Sequence, residues 1–306
     1  MPILPSLSCE RDALRLIDHI MALGRCVVAY SGGVDSAVVA AAAFRADQRR
    51  FPSADDRFCS GSIAVTADSP SVSREQLETA RRVADEIGLR HEIVATSEMD
   101  RADYRINDRR RCFYCKQTLY AELAQFGSQV GIFTILSGTN ADDLGDYRPG
   151  IQAGRDAGVV APLADLGITK QMVREIAHLW NLSVADRPAQ PCLSSRLAYG
   201  VGVTRDRLAR IELAESFLRD RGYAPLRVRM LDNEEGRIEV SLDALDRLRE
   251  SKEIETVTEQ LLSLGFQSVS VDAQGFRSGS MNELVQIGTI PSSAVSTYNG
   301  RCAEKV

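Results

Sequence analysis

Two cysteines three residues apart, Cys112 and Cys115 in the stretch RCFYCK, are the side chains of this sequence best placed for thiol chemistry. If a helix begins here, both thiols project from one helix face, and Arg111, Lys116 and the helix N-terminus each favour the thiolate form. A C-x-x-C pair alone is compatible with zinc, redox and iron–sulfur sites. No second C-x-x-C or H-x-x-x-H follows, which disfavours structural zinc. The pair also does not directly follow an early strand, which disfavours a thioredoxin-like role.

A third cysteine, Cys192 in PAQPCLSSR, lies beside prolines that restrict its backbone. Three thiolates suit a 4Fe-4S cluster with one iron left open, where a transferable sulfide could bind. Two other interpretations stay open: Cys112 and Cys115 as buried, inert side chains, and Cys192 alone as a nucleophile or sulfur donor. The remaining cysteines have no comparable setting: Cys9, Cys26, Cys59 and Cys302.

The strongest phosphate-binding candidate is SGGVDS, residues 31–36, which follows an apolar run and precedes a helical pattern. Two glycines let the backbone approach an anion, successive amides form a nest, and the helix N-terminus adds partial positive charge. The hydroxyls of Ser31 and Ser36 can also donate. The stretch lacks both G-x-x-x-x-G-K-[ST] and G-x-G-x-x-G, which disfavours γ-phosphoryl transfer and dinucleotide binding. A purely structural glycine turn is the alternative.

Three carboxylates follow the fourth predicted strand, in SGTNADDLGDYRPG. Asp142, Asp143 and Asp146 are hard oxygen ligands that could hold Mg²⁺ against phosphates, and Asp142 is the first choice. Clustered aspartates and glycines also make ordinary turns, so both interpretations stay open.

A parallel sheet is expected to position these residues, because β-rich runs alternate with helical patterns up to about Ala185. The predicted strands are CVVAYSGG, SIAVTAD, RHEIVAT and IFTILSG; the helices include VDSAVVAAAAFRA, SREQLETARRVADEIG, residues 113–126 and one with Thr169 as N-cap. This predicts a doubly wound α/β fold with ligands beyond the carboxyl ends of its strands. From Val203 the pattern changes to a smaller α+β unit with strands LRVRML, RIEVSL and QSVSVD.

The composition is that of an ordinary soluble globular protein. The chain has 306 residues, 44% hydrophobic and 26% charged, and a net charge of -5, which disfavours a large nucleic-acid surface. No apolar run is long enough for a membrane span, and the start lacks an export signal, so we expect a cytoplasmic protein without membrane partners. Seven unevenly spaced cysteines do not resemble a disulfide framework.

The SGGVDS stretch resembles the PP-loop of the ATP pyrophosphatase superfamily, with its adenine nucleotide alpha hydrolase-like fold. Members split ATP into AMP and pyrophosphate while adenylating an oxygen of the substrate. The resemblance implies ATP-binding residues in the loop and in two neighbouring strand ends: Ser31, Gly32, Gly33, Asp35, Ser36, Asp68, Ser69 and Gly138.

Four further stretches resemble the LarE sulfur transferases of nickel-pincer nucleotide biosynthesis: DYRPG, CLSSRLAYG, VRM with GRIEV, and GFRSGSMN. By this resemblance, members of that family are of two chemical types. One gives up the sulfur of a single cysteine, and the other holds a 4Fe-4S cluster on three cysteines. The presence of RCFYCK implies the cluster type, on Cys112, Cys115 and Cys192.

The implied reaction adenylates a carboxylate of pyridinium-3,5-biscarboxylic acid mononucleotide and converts it into a thiocarboxylate, with Cys192 and Asp35 as catalytic residues. Cations suit this anionic small molecule, because the planar fork of arginine pairs with phosphate and carboxylate. The residues implied in substrate binding are Arg196, Arg227, Arg229, Glu239 and Arg277. Strand alternation puts Arg227 and Arg229 on one side, which suits either a clamp or a solvated face.

The organisation we expect is a PP-loop domain over residues 1–185, a cysteine-bearing connection over 186–202, and a substrate-binding and oligomerisation domain over 203–306. The family resemblance implies a homo-oligomer, with a hexamer expected. The alternatives are sacrificial donation of the Cys192 sulfur, a PP-loop tRNA thiolase, and a non-catalytic nucleotide sensor.

Overall fold

The computed structural model describes residues 7–51, 53, 61–145 and 149–277. The chain divides into two compact units. The first contains the chain up to Tyr104 together with Arg109–Pro191, and the second contains Arg105–Asp108 and the chain from Cys192 onward. The predicted connection over 186–202 is therefore divided between the units after Pro191.

The first unit is a parallel sheet covered by helices. Its described strands have the order β3-β2-β1-β4, with every pairing parallel, which confirms the predicted doubly wound α/β class. The strands are β1 Cys26–Ala29, β2 Ile63–Asp68, β3 His91–Ala95 and β4 Thr134–Leu136. The helices are α1 Leu7–Leu23, α2 Val34–Arg50, α3 Arg74–Ile87, α4 Ala102–Arg105, α5 Arg111–Val130, α6 Pro149–Asp156, α7 Pro162–Asp165 and α8 Lys170–Leu179.

Apolar side chains of the sheet alternate between two cores. Val28 and Leu136 are fully buried in the larger core, which α1, α2, α3 and α8 help to form. Val27 and Ile135 point to the opposite face and pack in a smaller core with Leu123 of α5. This alternation follows from the two-residue period of a strand and explains why β1 reads as a continuous apolar run.

Helix boundaries follow local capping chemistry. The predicted N-cap Thr169 is confirmed, since its side chain accepts from the amide of Met172 at 3.4 Å. Ser73 caps α3 in the same way. The helix predicted over 113–126 is longer than expected, and it begins at Arg111. The helix α1 was not predicted, although Ala13, Leu16 and Ile20 of its buried stripe have helical spacing.

The second unit has a three-stranded sheet in the order β5-β6-β7 among its described residues. Its strands are β5 Leu226–Met230, β6 Glu235–Val240 and β7 Ser268–Val271, and its helices are α9 Arg205–Asp220, α10 Leu245–Arg249 and α11 Ser251–Ser263. The apolar face of the sheet, which includes the fully buried Val228 and Ile238, packs beside α9 and α11. Arg227 and Arg229 lie on the opposite face of β5. The predicted small α+β unit is confirmed.

Candidate active site

The PP-loop lies where the strand order of the first unit reverses. Strand β1 pairs with β2 on one side and with β4 on the other, so the loops after β1 and β4 leave neighbouring strands at the same edge. In open α/β sheets, this switch point is where ligands bind. The loop over 31–36 and the loop over 137–145 therefore form the candidate nucleotide site.

The hydroxyl of Ser36 organises the PP-loop. It donates to the carbonyl of Gly33 at 3.0 Å, accepts from the amide of Ser31 at 3.2 Å and lies 3.2 Å from the hydroxyl of Ser31. Gly32 has φ +73°, and a Cβ there would lie 2.7 Å from the Cα of Ala80 in α3. Both the backbone conformation and the space therefore require glycine at residue 32.

The N-terminus of α2 is left open toward this loop. Gly33 is the N-cap, and no side chain caps the helix within the described ranges. The first amides of a helix carry partial positive charge and bind anions. Gly138 of the neighbouring loop comes close, since a Cβ there would lie 2.8 Å from the amide nitrogen of Ser36.

Two residues that sequence reasoning missed hold the carboxylate of Asp35. Asn140 donates to one oxygen of Asp35 at 3.1 Å, and the ammonium of Lys170 pairs with the other. Lys170 is the first residue of α8, directly after the cap Thr169. The sequence signal that could have identified Lys170 is its place at the start of a helix, directly after a predicted loop. Only the fold shows that its ammonium pairs with Asp35, which is 135 residues away in the sequence. The site thus contains a cation.

The aspartates after β4 take part in the loop itself. Asp142 accepts from the backbone amide of Lys170 at 2.8 Å, and Asp143 accepts from the amide of Asn140 at 3.1 Å. Asn140 in turn accepts from the amide of Asp142 at 3.0 Å. These contacts fit the turn-forming interpretation, and the Mg²⁺ role of Asp142 stays a prediction. Asp146 lies outside the described residues.

The loop after β2 carries the predicted adenosine-side residues. Arg74 donates to the carboxylate of Asp68 at 2.8 Å and to the carbonyl of Ser69 at 3.2 Å. The hydroxyl of Ser69 is buried and accepts from the amide of Ser71 at 3.2 Å. The loop is thus folded by contacts between its own residues and the first turn of α3.

The cysteine pair lies in the first turn of α5, as the sequence predicted. Cys112 is exposed and Cys115 is half-buried, which excludes the alternative that both are buried, inert side chains. No described side chain caps this helix N-terminus. The guanidinium of Arg110 lies 5.3 Å from the ring centroids of both Phe113 and Tyr114. Arg110, the N-cap residue of α5, therefore packs against aromatic rings at the start of the same helix.

The described residues of neither unit contain a complete metal centre. Among the described residues, no three His, Cys, Asp or Glu side chains are grouped so that they could hold a metal ion. Cys112 and Cys115 belong to the first unit and Cys192 to the second. The 4Fe-4S assignment therefore remains a prediction.

In the second unit, Cys192 begins a short 3₁₀ turn, Leu193–Arg196. Its thiol is partly exposed. Its carbonyl accepts three hydrogen bonds: from the amide of Ser195 at 2.9 Å, from the hydroxyl of Ser195 at 2.7 Å and from a guanidinium nitrogen of Arg196 at 3.0 Å. The backbone that carries this thiol is therefore strongly held.

Two predicted substrate arginines are buried in ion pairs. Arg196 makes a two-bond fork to Glu215, at 3.0 and 3.1 Å, and both side chains are at most 5% exposed. Arg229 pairs with Glu239 at 3.1 Å, again with little exposure. Glu215 was not predicted as a site residue, because nothing in its helical sequence context distinguishes it from a surface glutamate.

The other two predicted substrate arginines are less buried. Arg227 lies beside the ring of Phe276, 5.0 Å from its centroid. Burial, followed by the nearby charge of Arg196, lowers the pKa of Arg227 to about 10. Arg277 lies 3.9 Å from the carboxylate of Asp272. Two cations and two carboxylates act on Arg227: Arg196 and Arg229 lower its pKa, whereas Glu215 and Glu239 raise it.

A cavity of about 300 Å³ opens in the first unit beside the end of β4. Its walls include the polar side chains of Ser137, Thr139 and Arg155, with Tyr120 and Ile151 among the larger side chains.

Within the described parts of the chain, no helix is long and apolar enough to cross a bilayer.

Comparison with known proteins agrees with this geometry. A family model described as asparagine synthase matches residues 16–136. A protein of Synechocystis sp., slr1717, is 39% identical over 263 residues, which cover 86% of this chain and 94% of the relative. The pyridinium-3,5-bisthiocarboxylic acid mononucleotide synthase of Lactiplantibacillus plantarum is 31% identical over 268 residues, covering 88% of this chain and 92% of the synthase.

Among solved structures, the NMN synthetase of Francisella tularensis aligns with a TM-score of 0.46 and 14% identity, over 70% of this chain and 87% of its own. The parallel sheet with SGGVDS at its switch point defines a PP-loop protein of the ATP pyrophosphatase class. Because the similarity to the L. plantarum synthase spans nearly all of both chains, the chain belongs to the LarE enzyme family. This confirms the resemblance seen in the sequence.

Proposed function

We propose that the chain is an ATP-dependent sulfur transferase that adenylates a carboxylate of pyridinium-3,5-biscarboxylic acid mononucleotide and converts it into a thiocarboxylate. Membership of the LarE family supports this substrate. The observation that carries the proposal is the cluster formed by the open N-terminus of α2, Asp35 and Lys170. That cluster offers amides and a cation to the phosphates of ATP, as an adenylating enzyme needs.

In the adenylation step, an oxygen of the substrate carboxylate attacks the α-phosphorus of ATP, and the bond to pyrophosphate breaks. The amides of the PP-loop and the hydroxyls of Ser31 and Ser36 bind the departing pyrophosphate. The ammonium of Lys170 balances the negative charge that develops on it. Asp68, Ser69 and Gly138 are proposed to line the adenosine.

Mg²⁺ is expected to accompany ATP. Asp35 and Asp142 are the carboxylates proposed to hold it, since both are oxygen donors beside the phosphate-binding loop. When bound, Mg²⁺ would neutralise phosphate charge. Asp35 is paired with Lys170, so an oxygen donor for the metal and a cation for the phosphates lie beside the same loop.

The three cysteines fit a 4Fe-4S cluster in donor chemistry. Cys112 and Cys115 present thiols from one helix turn, with an exposed and a half-buried side chain, and Cys192 is also partly exposed. When bound by three thiolates, such a cluster supplies an iron that can take up sulfide for transfer.

In the second step, a sulfur nucleophile attacks the acyl carbon of the adenylate, and AMP departs with the pair of electrons of the broken bond. The arginine-bearing face of the second unit is proposed to bind the phosphate and the carboxylates of the substrate. In the alternative pathway the thiolate of Cys192 is itself the nucleophile. A base then removes the Cα proton of Cys192, and the Cβ–S bond breaks with its electron pair leaving on the thiocarboxylate sulfur, so that residue 192 becomes dehydroalanine.

The test is anaerobic purification followed by iron and sulfide analysis and turnover with ATP, sulfide and the pyridinium mononucleotide. We expect AMP, pyrophosphate and thiocarboxylate in amounts exceeding the enzyme, with iron lost in Cys112→Ala and Cys115→Ala. Cys9→Ala, which alters a buried thiol of α1, is the matched control and should keep its iron. Product limited to one sulfur per chain, with Cys192 converted to dehydroalanine, would favour sacrificial donation.

A tRNA thiolase is the second candidate, and it would bind tRNA in a strongly salt-dependent way. The net charge of -5 argues against it. Pyrophosphate release that requires tRNA and ignores the mononucleotide would contradict the proposed substrate. Release of no pyrophosphate with either substrate would favour a nucleotide sensor.

A further inference from the structure

We propose that Thr66 and His91 are positioning residues of the nucleotide site, which fix the peptide unit from which the PP-loop starts. That unit joins the carbonyl of Tyr30 to the amide of Ser31. The inference deepens the proposed function and rests on it for the assignment of ATP to this loop. Thr66 and His91 both lie outside the loop and act on it through the backbone of Tyr30.

The peptide unit between Tyr30 and Ser31 is held on both sides. Its carbonyl accepts from the hydroxyl of Thr66 at 2.8 Å, and its amide donates to the hydroxyl of Ser36 at 3.2 Å. Thr66 lies on β2, and Ser36 lies in the first turn of α2. A rotation of this peptide plane would break both bonds, so the two hydroxyls fix the direction in which the chain enters the glycine turn.

The bond between Thr66 and Tyr30 is shielded from solvent. Both residues are 3% exposed. A buried carbonyl that loses its donor cannot replace it with water, and the free energy of the unpaired group then favours a shift of the backbone. The backbone that would shift leads directly into the loop over 31–36.

His91 orients the hydroxyl of Thr66. Its Nε2 lies 2.8 Å from the Oγ1 of Thr66. A threonine hydroxyl has one proton, and that of Thr66 goes to the carbonyl of Tyr30, which can only accept. The imidazole must therefore donate, which assigns the proton of the neutral ring to Nε2.

The surroundings of His91 keep its ring neutral. The residue is half-buried at the start of β3, and its ring meets the ring of Tyr30 edge-on, with centroids 5.5 Å apart. Burial, followed by the charge of Arg81, lowers the pKa of His91, against the opposite effect of Asp85 and Glu92. Near neutral pH the imidazole therefore donates a single N–H.

The amino end of β1 offers an internal comparison. There the hydroxyl of Ser62, which directly precedes β2, accepts from the amide of Cys26 at 3.1 Å, and Ser62 is buried as well. Ser62 and Thr66 thus hold the chain at the two ends of the same strand, but only the end near Thr66 continues into the PP-loop. A general loss of sheet stability should follow from either substitution, whereas weaker nucleotide binding should follow only from substitution of Thr66.

The first measurement needs no ligand. In the full chain labelled with ¹⁵N-histidine, NMR should show His91 with a protonated Nε2 and an unprotonated Nδ1 at neutral pH. The chain has three histidines, so the spectrum of His91→Phe assigns the signal. A ring of His91 with its proton on Nδ1 would overturn the inference.

The second measurement is the Kd of the full chain for α,β-methylene ATP, which cannot be split into AMP and pyrophosphate. Thr66→Val keeps the shape of the side chain without its hydroxyl and should raise Kd about tenfold, as expected when a buried acceptor is left unpaired. Thr66→Ser, which restores the hydroxyl, should stay within about twofold of the unaltered protein. Ser62→Ala is the matched control and should leave Kd unchanged, although it too lowers the urea midpoint of unfolding.

A double substitution tests whether His91 acts through Thr66. His91→Phe keeps an aromatic ring beside Tyr30 and should raise Kd roughly threefold, since the bond from Thr66 to the carbonyl remains. In the Thr66→Val background it should have no further effect, because residues of one hydrogen-bond chain are not additive. Additive effects would remove His91 from the positioning role. His91→Phe also replaces Thr66→Val if the latter does not fold.

The remaining outcomes separate this inference from the proposed function. The positioning role is wrong if Thr66→Val binds the analogue as tightly as the unaltered protein, if Ser62→Ala weakens binding equally, or if the unaltered protein does not bind the analogue. An unaltered protein that binds the analogue but forms no thiocarboxylate contradicts the proposed function alone.

Discussion

The two units differ in how their candidate sites for charged ligands are built. The candidate nucleotide site of the first unit consists mainly of backbone: glycines, amides and an open helix N-terminus, with one partly exposed ion pair of Asp35 and Lys170. The arginine face of the second unit consists of side chains, with Arg196, Glu215, Arg229 and Glu239 nearly fully buried. A backbone site depends on chain conformation, whereas a side-chain site depends on long-range pairing. Substitutions should therefore damage the two in different ways.

The largest loss of stability is expected from removing one buried charge of the second unit. Glu215→Ala leaves Arg196 buried without its carboxylate, which costs about 3 to 5 kcal/mol of unfolding free energy. Urea unfolding of the full chain measures this loss. Glu253→Ala, which breaks the more exposed fork to Arg221, is the control and should destabilise the protein much less. Equal losses in the two variants would contradict the contrast between buried and exposed pairs.

In the first unit, the corresponding substitution is Gly32→Ala, which acts on backbone conformation. Gly32→Ala forces a left-handed residue and a Cβ against the backbone of α3, which together cost about 2 to 4 kcal/mol. We also expect loss of ATP-dependent pyrophosphate release, because the loop must move. Gly145→Ala is the control for the unfolding measurement only, since a Cβ there meets no atom within 4 Å. If Gly32→Ala unfolds at the same urea concentration as the unaltered protein, the backbone argument fails.

Much of the first unit was predictable because its signals are local. The four strands, the SGGVDS turn before α2 and the Thr169 cap each depend on neighbours within a few residues. The exposure of Cys112 on a helix start was predictable for the same reason. The helix α1 was missed because the start of the chain was considered only as a possible export signal.

The contacts that complete the sites were not predictable. Lys170 pairs with Asp35, which is 135 residues away in the sequence. Glu215 of α9 pairs with Arg196 of the 3₁₀ turn. Charged residues on amphipathic helices usually face solvent, so sequence pattern alone assigns them to the surface. The sequence therefore predicts which arginines share a face of β5, but not which of them is already paired.

Substitution of Lys170 tests whether pyrophosphate release at the candidate nucleotide site also requires a charged side chain. Lys170→Ala removes the cation beside the phosphates, and a charge-assisted contact of this kind contributes about 1.5 to 3 kcal/mol. We expect pyrophosphate release to slow by roughly 10 to 100-fold, with little change in unfolding because the ion pair is about one-third exposed. Gln171→Ala, one residue further along the same helix turn, is the control. Unchanged pyrophosphate release would remove Lys170 from the proposed site.

The smallest effect is expected in the hairpin between β5 and β6, where conformation and pairing oppose each other. Glu234 has φ +60°, a left-handed conformation that costs a non-glycine residue about 1 kcal/mol. Its carboxylate accepts from Arg207 at 2.9 and 2.6 Å and from Arg210 at 3.2 Å. The pairing with α9 thus offsets the cost of the unfavourable conformation.

Comparing two substitutions at residue 234 separates the two contributions. Glu234→Ala loses the arginine contacts and keeps the strain, whereas Glu234→Gly loses the contacts and also relieves the strain. The glycine variant should therefore be more stable than the alanine variant by about 1 kcal/mol, despite the greater flexibility of its unfolded chain. Urea midpoints of the two variants and the unaltered protein measure the difference. An alanine variant as stable as the glycine variant would mean that the turn relaxes once the arginines release it, and that Arg207 and Arg210 impose the conformation rather than merely tolerate it.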